Sequence, residues 1–326
     1  MTKFIIKSLR FLYRKAGFNF SENVKKKQTQ QPAVLPASIS NDYFKKVIAS
    51  GKPAMLSRLG TPESNCILNW IQVTRYRSNH FFGNLDAALR GNTPHWNEQV
   101  KTDLQNLVGF FPATDEQLLK FAPFYAGRIA LADGMGIWGF VPGENFIIDT
   151  YCPNVVKYNP EVLDPYFFDA PWTAQLEGKK VLVIHPFTDS IVLQYKKRQL
   201  LFQNKAVLPA FELQTLKAVQ SIAGNKTPFN DWFEAFDFMK EKINRMDFDI
   251  ALIAAGSYGL PLAAHVKSIG KSAIHMGGSL QILFGIKGKR WDDHAPTRAL
   301  YNEHWVRPDA GEIVNNAEIV EGGCYW

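Results

Sequence analysis

Four short apolar runs punctuate the chain: PAMLSRLG at 53–60, KKVLVIHPF at 179–187, FDIALIAAG at 248–256 and KSAIHMGG at 271–278. Each is aliphatic or β-branched and ends at a turn, which predicts strands buried on both faces rather than the alternation of a half-exposed sheet. A helical period follows every run, in PESNCILNWIQVTRY, TDSIVLQYKKRQLLF, LPLAAHVKSIG and SLQILFGI. This alternation predicts an α/β fold, a Rossmann-like and mostly parallel sheet with helices on both faces. Residues 95–132 carry two more helical patterns with no strand between them, and these are expected to form a helical excursion over one edge.

The segment KKKQTQQPAVLPASIS at 25–40 has no periodicity and reads as a linker, so the expected division is a tail and linker at 1–37 and one folded domain at 38–326. Eight basic residues and one acidic residue lie in the first 27 positions, and the other residues balance at 29 of each sign. The net charge of +7 therefore belongs to the tail, and nucleic acid is not an expected partner. Lys3, Lys7, Arg10 and Arg14 recur at helical spacing, with Ile5, Leu9 and Leu12 on another face. The tail suits either an anionic membrane surface or packing on its own domain. Its longest apolar run is three residues, against the roughly 20 needed to span a bilayer. A cytoplasmic protein, peripheral on the inner face of the membrane, is the matching expectation. Cys66, Cys152 and Cys324 are too scattered for a disulfide framework or a zinc site, consistent with a reducing compartment.

In open α/β sheets ligands bind outside the carboxyl ends of the strands, so the four turns are the places for chemistry. After the third run, Gly256 and Gly259 permit a tight turn and a close backbone approach, with helix N–H groups facing an anion. The G-x-G-x-x-G spacing and its distal acid are missing, which disfavours a dinucleotide oxidoreductase. After the fourth run, Gly277, Gly278 and Ser279 precede Lys287, Lys289 and Arg290, a grouping suited to a diphosphate or, alternatively, a solvated charged loop. Trp291 beside it argues for the first. After the first run, Arg58 and Gly60 lead into Thr61 and Pro62 at a helix start, with Glu63 in the first turn. That glutamate serves either the helix dipole or a divalent cation. His185 ends the second run, with Thr188 or Asp189 as a helix cap. No G-x-S-x-G, H-E-x-x-H or Walker loop occurs.

The segment at 254–291, together with SRLGTPES, VLVIHPF…QY and EGGCYW, resembles bacterial proteins related to the GT-D-fold glycosyltransferases of surface-polysaccharide assembly. The likeness covers roughly residues 50 to 326 and is densest over 249–291. It implies a nucleoside diphosphate sugar as donor, a glycan or lipid-linked acceptor, and a Mn or Mg ion at an Asp-x-Glu motif after the first strand. That motif falls on Thr61, Pro62 and Glu63, so the aspartate is replaced. Either Asp292 or Asp293 substitutes, or basic residues do the work of the metal, or activity is lost. The implied donor-binding residues are Arg58, Gly60 and Thr61 on the first turn and Gly256, Ser257, Tyr258 and Gly259 on the third. Gly277, Gly278, Ser279 and Gln281, then Lys287, Lys289 and Arg290, complete them, with Glu63, Asp292 and His185 as catalytic candidates. The alternative is a catalytically silent nucleotide-sugar-binding or scaffold protein.

Overall fold

The computed structural model describes residues 33–76 and 95–326, and the basic tail lies outside the described residues. Seven strands form one sheet, every pairing parallel, in the order β3-β2-β1-β7-β6-β4-β5. The four expected strands are its centre: β1 (Met55–Arg58), β4 (Lys180–His185), β6 (Ile250–Ile253) and β7 (Ser272–His275). The other three are β2 (Gly134–Gly136), β3 (Val156–Tyr158) and β5 (Glu212–Lys217). Alternate side chains along β4 feed opposite layers, Leu182 and Ile184 into one core and Val181 and Val183 into the other. Two-sided burial is why these runs read as continuously apolar.

Ahead of β1 lies α1 (Ala37–Ala49). The linker reading stops short here: the Leu35 N–H donates to the Lys157 carbonyl at 2.9 Å, so the chain joins the fold two residues before α1. The helix α2 (Thr61–Tyr76) follows β1, and α3 (Glu98–Val108) and α4 (Asp115–Ile129) come next. The expected excursion over an edge is instead a layer on a face. Leu118, Phe121, Ala122, Tyr125, Ala126 and Ile129 of α4 are buried in the core that also takes Met55, Met135 and Ile184 from the sheet. Asn97 and Thr114 cap these two helices by accepting from Gln99 N–H and Gln117 N–H.

Then come α5 (Glu144–Tyr151), α6 (Thr188–Lys196), α7 (Arg198–Leu201) and α8 (Trp232–Asn244). The single helical period read over 188–202 breaks at Lys197, which leaves the helical basin. The last helices are α9 (Gly259–Ser268), α10 (Ser279–Leu283), α11 (Lys289–Asp292) and α12 (Ala295–Arg298). No helix among the described residues is long and apolar enough to cross a membrane.

Candidate functional site

The chain leaves β4 towards β5 at one edge and leaves β6 towards β7 on the other side, so connections diverge between β4 and β6. Diverging connections open a crevice at the carboxyl ends of a parallel sheet. A cavity of about 670 Å³ occupies that end, walled by the turns after β1, β2, β4, β5, β6 and β7. This volume suits a small organic ligand of nucleotide size.

Arg58 is the last residue of β1 and reaches into the cavity. It makes no hydrogen bond and no ion pair with any described residue, and its Nε is buried without a partner. Among the described residues its ring contact is the face of Trp138, 5.7 Å from Cζ to centroid. A guanidinium that gives up water without a protein acceptor is costly, unless a ligand supplies the acceptor.

Glu63 lies beside it, buried in the first turn of α2, with Oε2 unpartnered. Burial raises its pKa, while its own backbone N–H and the charge of Arg58 pull the other way. The carboxylate folds back over Gly60, where any Cβ would overlap it. A divalent cation does not fit this donor set: one carboxylate, turned to its own helix start and next to a guanidinium. No group of three His, Cys, Asp or Glu side chains converges elsewhere among the described residues.

The glycines of the other turns have packing reasons. A Cβ on Gly277, where φ is +64°, would overlap the Arg58 guanidinium, lying 2.9 Å from Cζ. One on Gly259 would meet the His275 ring, 2.6 Å from Cδ2, and one on Gly256 the Val108 carbonyl at 2.7 Å. Gly278 accommodates the Trp291 ring. Two expected donor contacts on the third turn are spent internally. Ser257 is buried and its Oγ accepts from Trp232 Nε1–H at 2.8 Å, and neither it nor Gly259 lines the cavity. Tyr258 does line it, but its ring is stacked on Trp232 at 4.9 Å. Gly60, Thr61, Gly256, Gly277, Gly278, Ser279 and Gln281 all border the cavity.

The basic cluster divides. Arg290 faces the cavity, paired with Glu321 and donating to Cys324 Sγ at 3.2 Å. Lys287 and Lys289 do not line it: Lys287 Nζ sits over the Tyr301 ring, and Lys289 Nζ donates to the Gly322 carbonyl. The cluster thus anchors residues 321–326, helped by Lys289 N–H and Arg290 N–H donating to the Trp326 and Cys324 carbonyls. Asp292 is also outside the cavity, paired with Arg307 at 2.6 Å, which removes it from contact with a ligand there.

His185 borders the cavity, and its Nδ1 accepts from the Phe187 N–H at 2.9 Å. Nε2 then carries the proton, so the ring offers a donor and no free lone pair, which rules out the role of general base in this geometry. Burial lowers its pKa from 6.5 to about 3. The unfolded chain takes up this proton as pH falls through 6.5 and the folded chain does not until near 3. The stability is therefore complete above that window and lost on acidification. At pH 5 the loss from this one group is about 2 kcal/mol. His185→Gln, which keeps an acceptor for Phe187 N–H, is expected to lose about that much less stability than the parent between pH 7 and pH 5 in urea unfolding. Glu63 and Asp164, raised by burial, act in the opposite direction but equally in both proteins.

Several lining groups have no counterpart in the sequence reading. Asp164 projects from an irregular stretch of 3₁₀ turns and accepts a hydrogen bond from the Tyr166 hydroxyl at 2.5 Å, with Ser279 beside it in the cavity lining. Burial raises its pKa, and the neighbouring Ser279 and Tyr166 hydroxyls oppose the rise. Trp138 and Phe140 follow β2, a strand hidden by its Gly-Met-Gly sequence. Outside the cavity lining, Glu312 is buried at the start of α6, accepting from Asp189 N–H at 2.8 Å and from Ser190. A carboxylate of the chain thus occupies the anion position that this helix start would otherwise present. The one available signal was Glu312 lying three residues after Asp309, the spacing of the capping box those two residues form. No family model, curated protein or solved structure matches the chain.

Proposed function

We propose that the protein is a sugar transferase that uses a nucleoside diphosphate donor, as its sequence likeness to GT-D-fold enzymes implies, with a glycan or lipid-linked acceptor. The observation that supports this most is Arg58, a part-buried guanidinium without an acceptor among the described residues, at the carboxyl ends of the central strands. The donor diphosphate supplies the missing acceptors, in a bidentate arrangement that a guanidinium favours. As the bond from the sugar to the diphosphate breaks, charge develops on the departing oxygen, and a preorganised Arg58 stabilises it. Arg58 takes the part a cation plays elsewhere, so turnover is expected to persist in a chelator.

Asp164 is the base in this reading: it takes the proton of the acceptor hydroxyl as that oxygen bonds to the sugar carbon and the diphosphate leaves. Burial raises its pKa, which makes the carboxylate a stronger base than a solvated one. Asp164→Asn is expected to lower turnover by about a hundredfold or more while donor affinity changes less than about threefold. A panel of nucleotide sugars, followed by calorimetry and product analysis, tests both. Absence of nucleoside diphosphate binding across the panel would overturn the reading.

One observation favours a silent nucleotide-sugar-binding or scaffold protein: Thr61 stands where the family motif has aspartate, and Glu63 is turned to its own backbone. Donor binding without turnover for any acceptor is the outcome that selects it.

A further inference from the structure

Phe140 has 69% of its surface exposed, the most of any large apolar residue among the described ones, and it stands at the mouth of the cavity. Its loop is braced rather than loose. Glu144, buried at the start of α5, accepts from Trp138 N–H at 3.1 Å and Gly139 N–H at 3.0 Å, and Gly139 turns the chain with φ +79°. The Trp138 and Phe140 rings lie 5.6 Å apart, inclined at 43°, and Arg58 sits 5.7 Å from the Trp138 ring. A cation awaiting an anion and an aromatic pair awaiting a flat partner are therefore neighbours in one cavity. Other aromatic lining rings are engaged already: Tyr258 on Trp232, Trp291 against Gly278 and Gly288, Phe187 in the core, Tyr325 beneath Arg290, and Trp326 against Phe187 with its Nε1–H donating to the Glu312 carbonyl.

We propose that Trp138 and Phe140 are the stacking platform for the base of a nucleotide whose diphosphate is held by Arg58. This rests on the transferase reading and adds the direction in which the donor lies. A sugar ring can pack on an aromatic face but carries no anion to satisfy Arg58; a nucleotide joins a flat π-face to phosphate. With the base on the β2 loop and the diphosphate at Arg58, the sugar end lies towards Gly277–Ser279, which line the cavity together with Asp164. Stacking reads the face of a base and not its edge, so tolerance of several bases is expected.

The test is calorimetry on the full chain with UDP, ADP, GDP, dTDP and inorganic pyrophosphate, comparing the parent with Phe140→Ala and Phe140→Tyr. Losing one base-stacking ring is expected to weaken each nucleotide that binds by about tenfold. Pyrophosphate affinity stays within about twofold, and tyrosine restores nucleotide affinity because it keeps the ring. Unchanged nucleotide affinity in Phe140→Ala overturns the platform and leaves the transferase reading standing. Equal losses for pyrophosphate and nucleotides make Phe140 a structural residue and overturn it too. A parent chain that binds no nucleotide removes both.

Discussion

Arg58→Ala is expected to reduce affinity for a nucleoside diphosphate by about a hundredfold, because one or two charge-assisted hydrogen bonds at about 1.5–3 kcal/mol each are lost. Stability should move little, or rise. The guanidinium makes no hydrogen bond or ion pair with the described residues, and its Nε is desolvated without return. Removing it does take a cation from beside Glu63, whose pKa then climbs further as burial acts unopposed by that charge. Arg58→Lys keeps the charge but not the planar fork, so an intermediate loss of about tenfold is expected. Calorimetry with nucleoside diphosphates and thermal melts of the three proteins separate binding from folding. Unaltered affinity in Arg58→Ala would remove the central support for the proposed function.

The central strands were legible because a strand covered on both faces carries consecutive apolar residues, as do Met55 and Leu56 in β1, Val181–Ile184 in β4, Ile250–Ile253 in β6, and Ala273 and Ile274 in β7. The strands that escaped notice lack that signature for separate reasons. In β2 two glycines replace side chains: a Cβ on Gly134 would lie 2.8 Å from Leu56 Cδ2, and one on Gly136 would lie 2.9 Å from Tyr158 Cε2. Large neighbours fill the space, so the apolar content belongs to β1 and β3. The edge strand β5 has no fully buried position and reads as polar. Turn chemistry pointed to the end of the sheet where the cavity lies, but not to the partners of individual groups. Lys287, Lys289 and Asp292 look like ligand-binding charges in sequence because their partners, Tyr301, Gly322 and Arg307, lie 14, 33 and 15 residues away. Asp164 and Glu312 stand in irregular stretches without periodicity, and only the fold brings them to Ser279 and to α6.

Gly277→Ala joins the two kinds of evidence. At φ +64° an alanine sits in the left-handed basin, which costs roughly 1–2 kcal/mol for a residue with a Cβ. Its methyl would also overlap the Arg58 guanidinium, so either the turn after β7 moves or the arginine does. Gly270, at the amino end of β7, provides the control: its φ is +82° and a Cβ there meets nothing within 4 Å. Gly270→Ala should therefore lose about 1–2 kcal/mol in urea unfolding with nucleotide affinity intact. Gly277→Ala should lose at least as much stability, and about tenfold or more in affinity, because the anchor itself is displaced. If both variants bind as the parent does, the glycine serves the turn alone and Arg58 is not the residue that holds the anion. If only Gly277→Ala loses binding, the loss comes from the edge that packs on Arg58 and not from the general cost of a Cβ in the left-handed basin.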